Sequence, residues 1–449
     1  MILAVTPGGL NWKLRMPRLS LHRFGVRLLL PMLAAASMWL YFQRVLIPHQ
    51  RTDSQVREVP RGSLSDLYPR WLGARELLLH GHDPYGDDVT REIQAGYYGR
   101  VLDATRPNDP KDQQAFAYPI YVVFFLAPTV GLPFPIVQRV FLILLVIATM
   151  ASISMWLQAL EWRISASATV MWIVLTLGSF PTIQGLKLQQ LTLLVAALLA
   201  ASLNAISHRR FVLAGILLSC ATIKPQLLLL PVIWLCIWVT GDWHDRRRLF
   251  CSFGISMSVL VVGGELLLSG WIQEFRAACA AYYLYTGGGK SVLDIFLTPL
   301  WGRVVAAVLI GTSLIVVWRH RRAAEGSPSF QYSLALVMAT TLMVIPMLAP
   351  YNQVLLVPVA MLIARKIRDL RKRNPPTRFL TATAALSVFW PWFGAAGLVA
   401  AMLFLPGPVV QRAWAVPVGT TLSTPVTLFA LLFIGRSVFT NEDLKSACD

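Results

Sequence analysis

Long apolar runs alternate with short polar breaks along almost the whole chain. The runs fall near 27–47, 118–132, 136–157, 166–180, 186–206, 211–223, 225–239, 249–269, 295–318, 330–348, 351–364, 379–404 and 412–436. Many approach the roughly 20 residues that a helix needs to cross a bilayer. The pattern predicts an all-α polytopic membrane protein with about 11–13 transmembrane or half-depth helices. One long stretch, 48–116, is polar. Within it Leu67, Trp71, Ala74 and Leu78 recur at i, i+4, i+7 and i+11, the spacing of a single helical face. Pro69 suits the first turn of that helix and Gly81 its end, while Arg70, Arg75 and Glu76 fall off the stripe. Val89, Ile93, Tyr97 and Val101 predict a second helix. Both are expected to lie on the lipid interface, with Trp71 and the leucines seated in it, and to cap the membrane domain.

Charge orients this arrangement. The chain has 449 residues, of which 56% are hydrophobic and 14% charged, and a formal net charge of +18. The basic excess sits in short clusters between apolar runs, which is a membrane-orientation signal and not a nucleic-acid surface. His208-Arg209-Arg210, Arg246 to Arg248, Arg319 to Arg322 and the run from Arg365 to Arg378 are therefore expected in the cytoplasm. Lys13, Arg15, Arg18, Arg23 and Arg27 precede the first run, which reads as an uncleaved anchor with a cytoplasmic N-terminus; the C-terminus is expected there too. An even number of crossings must then fit between Arg210 and Arg246, where Ile223-Lys224-Pro225 is the sole interruption. Two short half-depth helices meeting at Lys224 satisfy that parity. The same argument puts Tyr351-Asn352-Gln353 at an outer turn and makes 270–293 a second outer loop. Residues 118–132 fit either a re-entrant element or a full crossing. Broken helices at membrane depth must line protein or a polar cavity, so an outward-facing cavity is expected near Lys224 and Gln184 to Gln190.

Several residues are candidates for chemistry. Asp66 and Asp83 lie in the polar loop, Lys224 is an ionisable residue among apolar neighbours, and Lys187 is a weaker example. Arg276 and Lys290 of the second outer loop are either a basic lining or solvated. Gly287 to Ser291 resembles the end of a phosphate loop but departs from the motif, since Leu284 replaces its first glycine and no strand precedes it. His80 and His82 have no spaced ligand set beside them, so no metal site is expected. Cys220, Cys236, Cys251, Cys279 and Cys448 form no CxxC pair, which argues against a disulfide framework.

The stretch SDLYPRWLGARELLLHGHDPY resembles the first outer-loop signature of glycosyltransferase family 87, the polyprenol-phosphate-mannose-dependent mannosyltransferases. AFAYPIYVVFFLAP, QGLKLQQLTLLVAALLAAS with HRRFVLAGILLSCATIKPQLLLLPV, and APYNQVLLVPVAML resemble later family segments in the same order. The resemblance spans roughly residues 60 to 365 of a single domain, 1–449, and leaves the helices of 379–436 outside it. The chain departs from the pattern at Ile120, at Leu186-Lys187 and at Tyr351-Asn352.

The resemblance implies a GT-C membrane glycosyltransferase of the bacterial inner membrane. It would move a hexose, with mannose preferred, from a polyprenyl-phosphate donor to a lipid or glycan acceptor on the periplasmic face, with inversion. It implies Asp66 as the base that takes the acceptor proton and Lys224 as the charge that meets the departing phosphate. Lys187, Gln190, Arg75, Tyr85, Tyr118, Arg276, Tyr351 and Asn352 are the further substrate-binding candidates. No cofactor is expected, and the partners are the lipid donor, the acceptor and membrane lipids, with no nucleic acid. The competing reading is a lipid or polysaccharide transporter or flippase; such proteins often carry an internal repeat, and none is visible here.

Overall fold

The computed structural model describes residues 21–56, 58, 64–103, 105–110, 112–285 and 289–440. Lys13, Arg15, Arg18, Gly287, Gly288 and Cys448 lie outside them. α1 (Leu21–Tyr41) continues through a π turn, Phe42–Leu46, into α2 (Ile47–Val56). The first apolar run is thus one helix that extends past its polar end. The loop that follows carries α3 (Leu67–Arg75), prolonged by a π turn at Glu76–His80, and α4 (Asp87–Tyr98). α5 (Val122–Leu126) is a little over one turn, about 8 Å long at 1.5 Å per residue. It is too short to span a bilayer, which removes the full crossing for 118–132.

The helical domain then builds up from α6 (Phe134–Ala159), α7 (Ala166–Leu177), α8 (Phe180–Leu188), α9 (Thr192–Ser207), α10 (Phe211–Ala221), α11 (Pro225–Thr240) and α12 (Trp243–Leu267). It continues with α13 (Trp271–Tyr285), α14 (Val292–Phe296), α15 (Pro299–Arg319), α16 (Pro328–Val344), α17 (Val357–Arg371), α18 (Pro375–Ala401), α19 (Gly407–Arg412), α20 (Ser423–Ile434) and α21 (Arg436–Thr440). Among the described residues there is no strand. Six helical stretches are long and apolar enough to cross a membrane, α7 and α8 form a pair bent by 58°, and four shorter apolar helices accompany them. Together they reach the lower end of the range read from the sequence, and the protein is an all-α polytopic membrane protein.

The surface agrees with that class. On α12, Ile255, Val259 and Leu266 are 66%, 65% and 85% exposed, an apolar face that only lipid would cover. The α7–α8 bend has a local cause: Ser179 caps α8 through the Thr182 amide, and Pro181 lacks the N–H that would continue α7.

One end of the bundle gathers the basic clusters. Arg209 pairs with Asp245 at 2.6 Å, and Arg365 donates to the Leu160 carbonyl at 2.7 Å. Arg246 is buried, stacks 3.9 Å from the Trp238 ring and donates to the carbonyls of Trp238, Arg321 and Ala323. Helices α10 and α11 leave this end and return to it, meeting at Lys224 as the parity argument requires. Tyr351 likewise sits in a turn, the 3₁₀ segment Pro350–Leu356 between α16 and α17.

Two expectations are corrected. Trp71 is 4% exposed, donates to the Thr129 carbonyl at 3.2 Å and packs on Phe134. The apolar stripe of α3 is therefore sealed inside protein and not seated in lipid, because α4, α5 and α6 supply its partner surface. The close fit is visible at Gly73, where a Cβ would fall 2.5 Å from the Phe116 ring. Residues 270–293 are not merely a loop: α13 fills more than half of them, anchored by Trp271 edge-on to Tyr121. The run 412–436 lies largely within one membrane-length apolar stretch, Gly407–Ile434, which passes through a 3₁₀ turn at Val416–Val418 where Pro417 sits beneath Gly394.

Candidate active site

The loop and the core meet where α3 begins. The Asp66 amide donates to the Leu188 carbonyl at 3.0 Å, fixing the start of α3 on the end of α8. There the chain turns through Gln189, which adopts the left-handed region at φ 50°, a conformation disfavoured for a residue with a Cβ. The turn splits two adjacent glutamines. Gln189 accepts from Ser65 and donates to the Gln138 carbonyl, while Gln190 turns to the opposite side.

Gln190 bridges two charges. Its Nε2 donates to Asp66 Oδ2, and its Oε1 accepts from Lys224 Nζ at 2.6 Å. The amide orientation is set, since its donor must face the carboxylate and its acceptor the ammonium. Lys224 is 5% exposed. It donates also to Thr192 Oγ1 at 2.8 Å, and the Thr192 hydroxyl in turn donates a hydrogen bond to Asn352 Oδ1 at 3.0 Å. Two aromatic faces complete the Lys224 environment, Tyr351 at 5.0 Å and Tyr118 at 5.8 Å from the ammonium. Such faces favour a desolvated cation.

A second cation joins the site. Arg70 lies one helical turn after Asp66, donates to the Asp66 carbonyl and stacks 4.6 Å from the Tyr118 ring. Its buried Nε has no hydrogen-bond partner among the described residues. Arg70 and Lys224 thus both approach the Tyr118 ring, and the Tyr118 carbonyl accepts from Tyr85 at 2.6 Å. Burial pushes the Asp66 carboxyl above the ordinary carboxylate range, opposed by Arg70, reinforced by nearby Asp112, and opposed again by Lys224 and the Gln190 hydrogen bond. The arrangement couples a carboxylate raised toward the working range of a base to two positive groups able to meet an anion.

That coupling makes a pH prediction. Gln190→Met removes a hydrogen bond that favours the charged carboxylate, so the Asp66 pKa rises further and less base is present at a given pH. The acid limb of the activity profile is expected to move to higher pH. A limb that stays in place or moves to lower pH would contradict this role.

Of the residues expected from sequence, the structure brings Asp66, Gln190, Lys224, Tyr118, Tyr351 and Asn352 into one cluster, with Tyr85 supporting Tyr118. Arg75 lies outside it, against the Trp71 ring at 5.5 Å. Lys187 is exposed and donates to Gln50 at 3.2 Å, on the side of α8 away from Asp66. Arg276 and Lys290 are exposed. Asp83 accepts from the Tyr85 amide and forms a turn. Arg70 and Thr192 were missed. The signal for Arg70 was its i+4 spacing from Asp66, which places both on one helical face.

Residues 116–391, more than half of the chain, match the sequence model of glycosyltransferase family 87. The chain belongs to glycosyltransferase family 87. It is therefore a membrane glycosyltransferase, and transport without glycosyl transfer is set aside. No curated protein and no solved structure matches the chain. The family-87 match contains Tyr118, Gln190, Thr192, Lys224, Tyr351 and Asn352 and runs into α18. Asp66 and Arg70 lie before its start, so the carboxylate comes from the preceding loop and its partners from the matched core.

Proposed function

We propose that this glycosyltransferase moves a hexose, mannose in preference, from a polyprenyl-phosphate donor to a lipid or glycan acceptor. The observation that carries the reading is the Asp66–Gln190–Lys224 bridge with Arg70 beside it. Asp66 takes the proton of the acceptor hydroxyl. The acceptor oxygen forms a new bond to the anomeric carbon, and the bond from that carbon to the phosphate oxygen breaks. The electron pair leaves with the lipid phosphate, whose growing charge meets Lys224 and Arg70 in a site of low dielectric. A phosphate leaving group needs less protonation than an alkoxide, so a single displacement with inversion follows, through an oxocarbenium-like state.

A lipid donor is supported by an apolar cavity of about 660 Å³ next to the site. The 3₁₀ turn Pro350–Leu356 joins the two: Tyr351 and Asn352 face the charged cluster, while Gln353 and Val354 line the cavity together with Pro31, Trp172 and Trp392. A phosphate at Lys224 would leave its chain within reach of that apolar space. Orientation follows from charge: with the basic end cytoplasmic, the Asp66 end opens outward, on the periplasmic side of a bacterial inner membrane, and both termini are cytoplasmic. Ala360 on α17 also lines the cavity, which supplies a test. Ala360→Phe is expected to raise KM for a long-chain donor and to leave KM for a short-chain analogue unchanged. An equal effect on both donors would detach the cavity from donor binding.

A further inference from the structure

At the far end of α3 a second cluster lies outside the machinery described above. His80 Nδ1 and His82 Nδ1 both approach the same oxygen, Glu76 Oε2, at 2.9 Å. The Glu76 side chain is 7% exposed, and those of His80 and His82 are 48% and 63% exposed. All three ligand atoms fall within 4.8 Å of one another, so one ion can reach them after small rotations of the exposed rings.

The backbone builds this convergence. Glu76 and His80 are four residues apart on one helical face. Gly81 then takes a left-handed conformation at φ 72°, natural for glycine, and the His82 amide returns to the Glu76 carbonyl at 3.1 Å. His82 is thereby carried back over the carboxylate that His80 already faces. The sequence alone hid the set, because Glu76 looked like an off-stripe surface residue and not the buried third member.

We propose that Glu76, His80 and His82 form a divalent-metal site that takes Zn²⁺. Two imidazoles and one carboxylate match the preferred donors of that ion, and the exposed side leaves a position for water. A hard cation such as Mg²⁺ or Ca²⁺ prefers an all-oxygen shell and is disfavoured. The ion would tie the end of α3 to the turn at Asp83-Pro84-Tyr85. Tyr85 donates to the Tyr118 carbonyl, so the site acts as a clamp on the loop that supports Tyr118 and takes no part in the transfer itself.

The test uses full-length protein purified in detergent without a polyhistidine tag and stripped with a chelator. It is then equilibrated with ZnCl₂ at about pH 7.5, where an unperturbed imidazole is neutral, in excess Mg²⁺ and Ca²⁺. Bound zinc is measured by atomic emission for wild type and for the double variant His80→Ala/His82→Ala, alongside thermal unfolding. The exposed histidines can be truncated without opening the core, so folding of the variant is checked by its own unfolding transition. Stoichiometric zinc in wild type, its loss in the variant, and a zinc-dependent rise in Tm in wild type alone are the expected results. Equal zinc in both proteins, or none in wild type, would reduce the cluster to a hydrogen-bonded group and overturn the proposal.

Discussion

Asp66→Asn is expected to lower sugar transfer by at least about 100-fold, the usual contribution of a positioned general base, while abundance and thermal stability stay close to wild type. Asparagine keeps the size of the side chain, and its Oδ1 can still accept from Gln190 Nε2 while Gln190 Oε1 stays on Lys224. The start of α3 is held by the Asp66 backbone, through its amide to Leu188 and its carbonyl from Arg70, and neither bond involves the carboxylate. Burial already opposes the charge on Asp66, so removing it relieves a desolvation cost. The substitution therefore separates chemistry from folding. Transfer at the wild-type rate by a well-folded variant would remove Asp66 from the role of base.

Lys224→Met is the second large effect. Lys224 is the buried cation bonded to Gln190 and Thr192, and under the proposed mechanism it meets charge that grows on the leaving phosphate. Loss of one such preorganised group costs on the order of 10²–10³ in turnover. Because the interaction strengthens toward the transition state, kcat and kcat/KM should fall together. Methionine fills the space between Tyr118 and Tyr351 but leaves Gln190 Oε1 and Thr192 Oγ1 without their donor, so thermal unfolding of the variant is measured beside its kinetics. A variant with unchanged kcat and only a raised KM would assign Lys224 to ground-state binding of the donor and not to the departure of the phosphate.

The parts of this architecture legible in the sequence are those in which charge and covalent constraint act locally. Pro225 after Lys224 and the basic clusters on either side required a turn there, and parity supplied its depth. Tyr351-Asn352 was placed by the same logic. The apolar stripe of α3 was equally legible, but its partner was not: a hydrophobic face looks the same whether protein or lipid covers it. That ambiguity turned Trp71 outward and left Arg70 as a residue off the stripe with no role. α13 was hidden because Gly270 and the glycines from 287 mark a loop, while Trp271 to Tyr285 mixes charged and aromatic residues without a clean stripe. Lys187 and Arg276 were chosen for charge alone, and charge does not report direction. Lys187 sits two residues before the left-handed turn at Gln189, which sends Gln190 to Asp66 and leaves Lys187 on the opposite side.

The most direct test of the central claim is transfer by purified protein from radiolabelled mannosyl polyprenyl phosphate, run beside a nucleotide-mannose donor with the same membrane lipid extract as acceptor. The account predicts a labelled product from the lipid donor with wild type and none with Asp66→Asn, and no product from the nucleotide donor with either. Transfer from the nucleotide sugar alone, or equal transfer from the lipid donor by both proteins, would contradict it.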